Sequence, residues 1–131
     1  MKTYTLLSFL AITVILSGCS TIQSPSLTGE WEQKKDGKTQ ADLVFGPGDT
    51  FHANLAAADG VEVKGITHIE GSEIIFINES GTDATSSNPA PGTYMYSIKG
   101  DTLVFGKIED PLVRRTKFLS QPWTRVDPEQ K

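Results

Sequence analysis

Thr50-Phe51-His52-Ala53-Asn54-Leu55-Ala56-Ala57 sets Phe51, Ala53, Leu55 and Ala57 on one side of an extended chain and His52 and Asn54 on the other. Alternation of this kind marks an antiparallel strand with one face in a core and one toward water. Turn chemistry bounds it, with Gly46-Pro47-Gly48-Asp49 before it and Asp59-Gly60 after it. The same grammar extends both ways. Residues 61–69 alternate again, with Val61, Val63, Gly65, Thr67 and Ile69 on one face and Ile66 as the exception on the other. Upstream, residues 41–45 form a strand, and residues 31–34 start another that turns at Lys35-Asp36-Gly37-Lys38, an Asp-Gly hairpin signal.

Downstream, Gly71-Ser72 turns into residues 73–78, where Ile74-Ile75-Phe76-Ile77 is apolar on both faces. That strand is either covered on both sides or lines a cavity with one of them. Residues 80–92 (SGTDATSSNPAPG) are small, polar and without an apolar period, and a loop of this length is functional, mobile or a tolerated insertion. Residues 93–99 and 102–108 are two further strands around Gly100-Asp101. The pattern then changes. Asp110-Pro111 has the chemistry of a helix start, with Asp as N-cap and Pro in the first helical position. Leu112, Val113, Thr116 and Leu119 recur at roughly helical spacing until Gln121-Pro122, and residues 123–126 are a final short strand. Short strands at regular spacing predict an all-β barrel or sandwich, here of eight strands with one short late helix.

The first 18 residues are laid out as a secretory signal, with Lys2 as the charged start and an uncharged apolar run from Tyr4 to Leu16. The run is short for a membrane span, which needs roughly 20 residues. It ends in Leu16-Ser17-Gly18-Cys19, which resembles the lipobox of bacterial lipoproteins. The resemblance implies lipid transfer to the Cys19 thiol and cleavage before it. Cys19 is the single cysteine of the chain, so no disulfide accounts for it. Two or three acyl chains, at about 0.8 kcal/mol per buried methylene, anchor stably where one would be marginal. Ser20, where retained lipoproteins of two-membrane bacteria commonly carry Asp, resembles the outer-membrane default.

Removing 18 residues from 131 leaves 113, a size that suits one domain. Such a chain buries about two thirds of its surface and folds without disulfides. Loss of Lys2 takes the formal charge from −4 to −5. An acidic domain without a basic stripe is a poor candidate for nucleic acid, and it lacks a polybasic membrane patch, so attachment should fall to the lipid alone. The expected organisation is a signal peptide over 1–18, a lipidated tether over 19–27, a barrel domain over 28–127 and a polar tail over 128–131.

Gly29-Glu30-Trp31 resembles the Gly-x-Trp that opens the first strand of lipocalins and other calycins. Later residues extend the likeness to small lipocalin-like domains: Gly92-Thr93-Tyr94, Gly100-Asp101-Thr102-Leu103-Val104-Phe105, Asp110, Arg115 and Trp123-Thr124-Arg125. Many relatives carry Cys shortly after the Asp, where this chain has Leu112, and the late helix is shorter than in large lipocalins. The resemblance implies an eight-stranded antiparallel up-and-down barrel. Its Gly29 and Trp31 close one end beneath an Arg, for which Arg115 and Arg125 are the candidates. An inward Arg could instead pair with a ligand carboxylate.

Eight-stranded barrels are filled by side chains or hold one small ligand. Phe51, Leu55, Ile75, Ile77, Tyr94 and Tyr96 are the candidate cavity-lining residues. His52 and His68 stand on polar faces away from any cluster at metal-ligand spacing, and no nucleophile is paired with a base. No metal, cofactor or catalytic residue is expected. The predicted function is a lipid-anchored, non-catalytic envelope protein, facing the periplasm if the source has two membranes, that holds a small apolar or amphipathic ligand. The alternative is a filled barrel acting by protein contact, as a stress sensor, assembly factor or inhibitor. The sequence names neither ligand nor protein partner.

Overall fold

Hydrophobic alternation becomes a ring. A computed structural model describes residues 25–81 and 90–130; the expected signal peptide, Cys19 and most of the 80–92 loop lie outside these residues. Eight strands follow in order: β1 (Gly29–Lys35), β2 (Lys38–Gly46), β3 (Thr50–Leu55), β4 (Val61–Glu70), β5 (Glu73–Ser80), β6 (Gly92–Lys99), β7 (Thr102–Glu109) and β8 (Trp123–Arg125). Each pairs antiparallel with the next, and β8 returns to β1, so the sheet is a closed up-and-down barrel. One short helix, α1 (Val113–Leu119), interrupts the run between β7 and β8.

The barrel has two unlike ends. At one, residues 25–28 lead into β1, beside the β2–β3, β4–β5 and β6–β7 turns; we call it the tether end. At the other, α1 crosses the opening from β5 to β1. Its Arg115 Nη1 donates to Asn78 Oδ1 of β5 at 3.1 Å, and Gln33 Nε2 of β1 donates to the Phe118 carbonyl at 2.7 Å. Gln33 is thereby a satisfied buried amide that ties the helix C-terminus to the barrel wall.

The interior is aromatic. Trp31, Leu43, Ile74, Phe76, Tyr94, Leu103 and Trp123 are almost completely buried. Phe76 is the hub, with the rings of Phe51, Phe105, Tyr94 and Phe45 at 5.2, 5.6, 5.9 and 6.1 Å. Three of these pairs meet edge-on, the arrangement that ring quadrupoles favour.

Two local expectations are corrected. The third strand stops at Leu55, because Ala56–Ala58 form a 3-10 turn that leads to Asp59 in the left-handed region at φ 59°. The Gly60 N–H then returns to the Leu55 carbonyl at 3.2 Å. The helix starts at Val113, with Leu112 rather than Asp110 in the cap position. The Asp110 carboxylate does accept the Leu112 N–H at 2.8 Å, but its other bonds are tertiary.

Candidate functional site

The tether end is locked by Trp31 and Arg125. Trp31 and Arg125 are register partners between β1 and β8, and the guanidinium carbon lies 4.1 Å from the indole centroid. Arg125 Nη1 donates to the Thr28 carbonyl at 3.1 Å and Nη2 to the Ser26 carbonyl at 2.7 Å. From below, the Trp31 Nε1–H donates to the Leu27 carbonyl at 2.9 Å. Gly29 makes this closure fit: its φ is +123°, and a Cβ there would meet Arg125 Nη1 at 3.3 Å. Arg125→Met should cost about 1–2 kcal/mol, the sum of a stacked cation and strand-end hydrogen bonds. Urea unfolding measures the loss, and exchange of the Trp31 indole proton should quicken with it.

Arg115, the other candidate for this role, sits at the opposite end. It reaches inward from α1, with its side chain 8% exposed, to Asp110, whose side chain is fully buried. Nε donates to Asp110 Oδ2 at 2.6 Å and Nη2 to Oδ1 at 2.7 Å, a bidentate fork. Nη2 also donates to the Ala90 carbonyl at 2.6 Å, and the Tyr94 hydroxyl donates to Asp110 Oδ2. Burial opposes ionisation of Asp110, but the bonds from Arg115, Tyr94 and the Leu112 N–H outweigh it and hold its pKa below the ordinary 3.8. Burial first, and the bond to Asp110 second, push the Tyr94 hydroxyl well above its ordinary 10.0.

This cluster explains why residue 92 is glycine. A Cβ there would overlap Asp110 Oδ2 and approach Arg115 Nη2 to 2.7 Å. Gly92→Ala should displace the ion pair and cost about 1–3 kcal/mol, the range for overpacking, as read by thermal unfolding.

Between the two ends lies a cavity of about 50 Å³, lined chiefly by apolar side chains such as Leu43, Phe51, Leu55, Val63, Phe76 and Leu119, with Asn78, Arg115 and Trp123 at its polar edge. Phe51 and Leu55 line it as expected. Tyr94 is buried beside it in the polar cluster. Tyr96 shares the inward face but lies near the tether end, its hydroxyl donating to the Gly71 carbonyl at 3.1 Å. Ile75 and Ile77 are corrected: Ile74, Phe76 and Asn78 take the inner face of β5, and the two isoleucines fall on the outer one, Ile77 opposite Ile66. The Trp123 indole N–H is buried without an acceptor among the described residues.

The histidines lie outside the barrel. His68 Nε2 is 3.1 Å from Glu70 Oε1 on an exposed strand face, and His52 Nε2 is 3.9 Å from Glu62 Oε2. Among the described residues, no three His, Cys, Asp or Glu side chains are grouped to hold a metal ion. Against known proteins, the chain matches no family model, no curated protein and no solved structure.

Proposed function

We propose that this chain is a lipid-anchored cell-envelope protein, held by Cys19, whose lipocalin-like barrel is a filled, non-catalytic scaffold acting by protein contact. The observation that carries the reading is the interior. A cavity of about 50 Å³ offers far less than the roughly 300–1,000 Å³ of small-molecule sites. Four aromatic rings around Phe76 take up the space a ligand would use. The lipobox residues support the anchor, and Ser20 supports an outer-membrane destination facing the periplasm where a second membrane exists. One feature favours a second reading, binding of a small molecule in the barrel: the unpaired Trp123 N–H at the cavity wall would suit a ligand with a single acceptor.

Native mass spectrometry of the protein gently extracted from its own membranes separates the two. A mass beginning at Cys19, raised by acyl chains and nothing else, is the expected result. A further adduct released on denaturation overturns the filled scaffold in favour of a ligand carrier. Cys19→Ser should abolish the acyl mass and release the protein from the membrane fraction.

A further inference from the structure

The rim of the helix end carries a groove of about 740 Å³ lined by Ala58, Pro111, Leu112, Val113, Arg114, Lys117 and Phe118. It lies between α1 and the turn after β3. Its wall is apolar, and Val113 is 82% exposed, the most exposed large apolar side chain described. Folding gains little from Val113 there, since its surface stays in water. Arg114 and Lys117 flank the apolar wall; the lining holds these two cations and no acid, although Asp59 adjoins Ala58 in the chain. Neither cation has an acidic partner among the described residues.

Charge and orientation narrow the occupant. The chain is net acidic at −4, and its tether-end turns carry Asp49, Glu70, Glu73 and Asp101 against Lys99. The groove thus sets two cations without an acidic partner among the described residues beside an apolar wall, on a chain that is net acidic. The tether enters at the far end, where Pro25 lines a surface pocket together with Gly71, Ser72 and Tyr96. Six residues from Cys19 to Pro25 span roughly 20 Å at most, so an anchored barrel turns its tether end to its own membrane and the groove away from it. Headgroups of that membrane stand on the wrong side of the barrel.

We infer that the groove docks an acidic segment of a protein partner, with apolar side chains seated against Leu112, Val113 and Phe118 and carboxylates held by Arg114 and Lys117. The inference rests on the scaffold reading above and names the surface and chemistry that reading leaves open. Apolar contact supplies the affinity, and the paired charges set orientation and association rate.

The test uses the full, membrane-anchored chain in its own cells. A photo-reactive benzoylphenylalanine is placed at position 113, with a second at position 95, on the outer face of β6, as control. The expected result is a cross-link to a protein at 113 and not at 95, mapped to a segment bearing both Asp or Glu and apolar residues. Arg114→Glu with Lys117→Glu should reduce its yield at least tenfold, and Arg114→Lys with Lys117→Arg should retain it. A cross-link to phospholipid, to a second copy, to residues 82–89 of the same chain or to a segment without acids overturns the inference, as does no cross-link or one indifferent to charge reversal. The native mass of the same preparation tells the failures apart. A bare lipidated mass leaves the scaffold standing without this groove, whereas a cargo adduct removes the scaffold itself.

Discussion

Asp110→Ala should lower the unfolding free energy by about 3–5 kcal/mol, because it strands a buried guanidinium without its counter-charge. Arg115 would keep Asn78 Oδ1 and the Ala90 carbonyl, both neutral acceptors, and the Tyr94 hydroxyl would lose its partner. Removing both charges, as Asp110→Ala with Arg115→Met, should restore part of the loss, since desolvation then falls on neither group. Chemical unfolding of the two single variants and the double variant gives the coupling directly. The pH dependence has a fixed sign. Asp110 is held below 3.8 when folded, so its stabilisation is complete above that value and declines as pH falls through the folded pKa. Tyr94 is raised above 10.0, so its share is complete below pH 10 and is lost as pH rises beyond it. Asp110→Ala should flatten the acid limb, and Tyr94→Phe the alkaline one.

Phe76→Ala should cost about 3–5 kcal/mol, the range for emptying a buried aromatic site. Four rings converge on this side chain, and they belong to β2, β3, β6 and β7, so no single strand can move in to fill the gap. Ile77→Ala, one residue along on the outer face, should cost under about 1 kcal/mol. The contrast between neighbours, read by urea unfolding, checks the inward and outward assignment of β5. Phe76 also lines the interior cavity, so its removal should open an apolar space that binds benzene or xenon while the parent protein does not.

Most strands are legible because they have a polar and an apolar face and are bounded by turn signals. Phe51 and Leu55 fall inside for that reason. Residues 74–77 resist reading because isoleucine and phenylalanine occupy both parities, and the polar Asn78 shares the parity that faces in. Asn78 reads as an outward residue until Arg115 is known to reach it, and that contact crosses 37 positions of sequence. The two arginines show the same limit. Both fall within the stretch that resembles small lipocalin-like domains, yet spacing does not tell the one stacked on Trp31 from the one buried against Asp110. Asp110 reads as a helix cap because its local bond to Leu112 is real, but Tyr94 and Arg115 hold the same carboxylate from further away. Cys19 and the residues before it lie outside the described residues.

β8 is three residues long, and it is the strand that closes the ring by pairing the last part of the chain with the first, through Trp31 opposite Arg125 and Glu32 opposite Thr124. A ribosome delivers β1 long before its second neighbour exists. Until Arg125 appears, the nascent domain is at best an open sheet with two raw edges, and Trp31 has no cation above it. Ring closure is therefore a late, long-range step, of the kind that slows folding through the entropy of joining distant segments. Truncating the chain before Trp123 would leave seven strands intact in sequence and no eighth to close the ring.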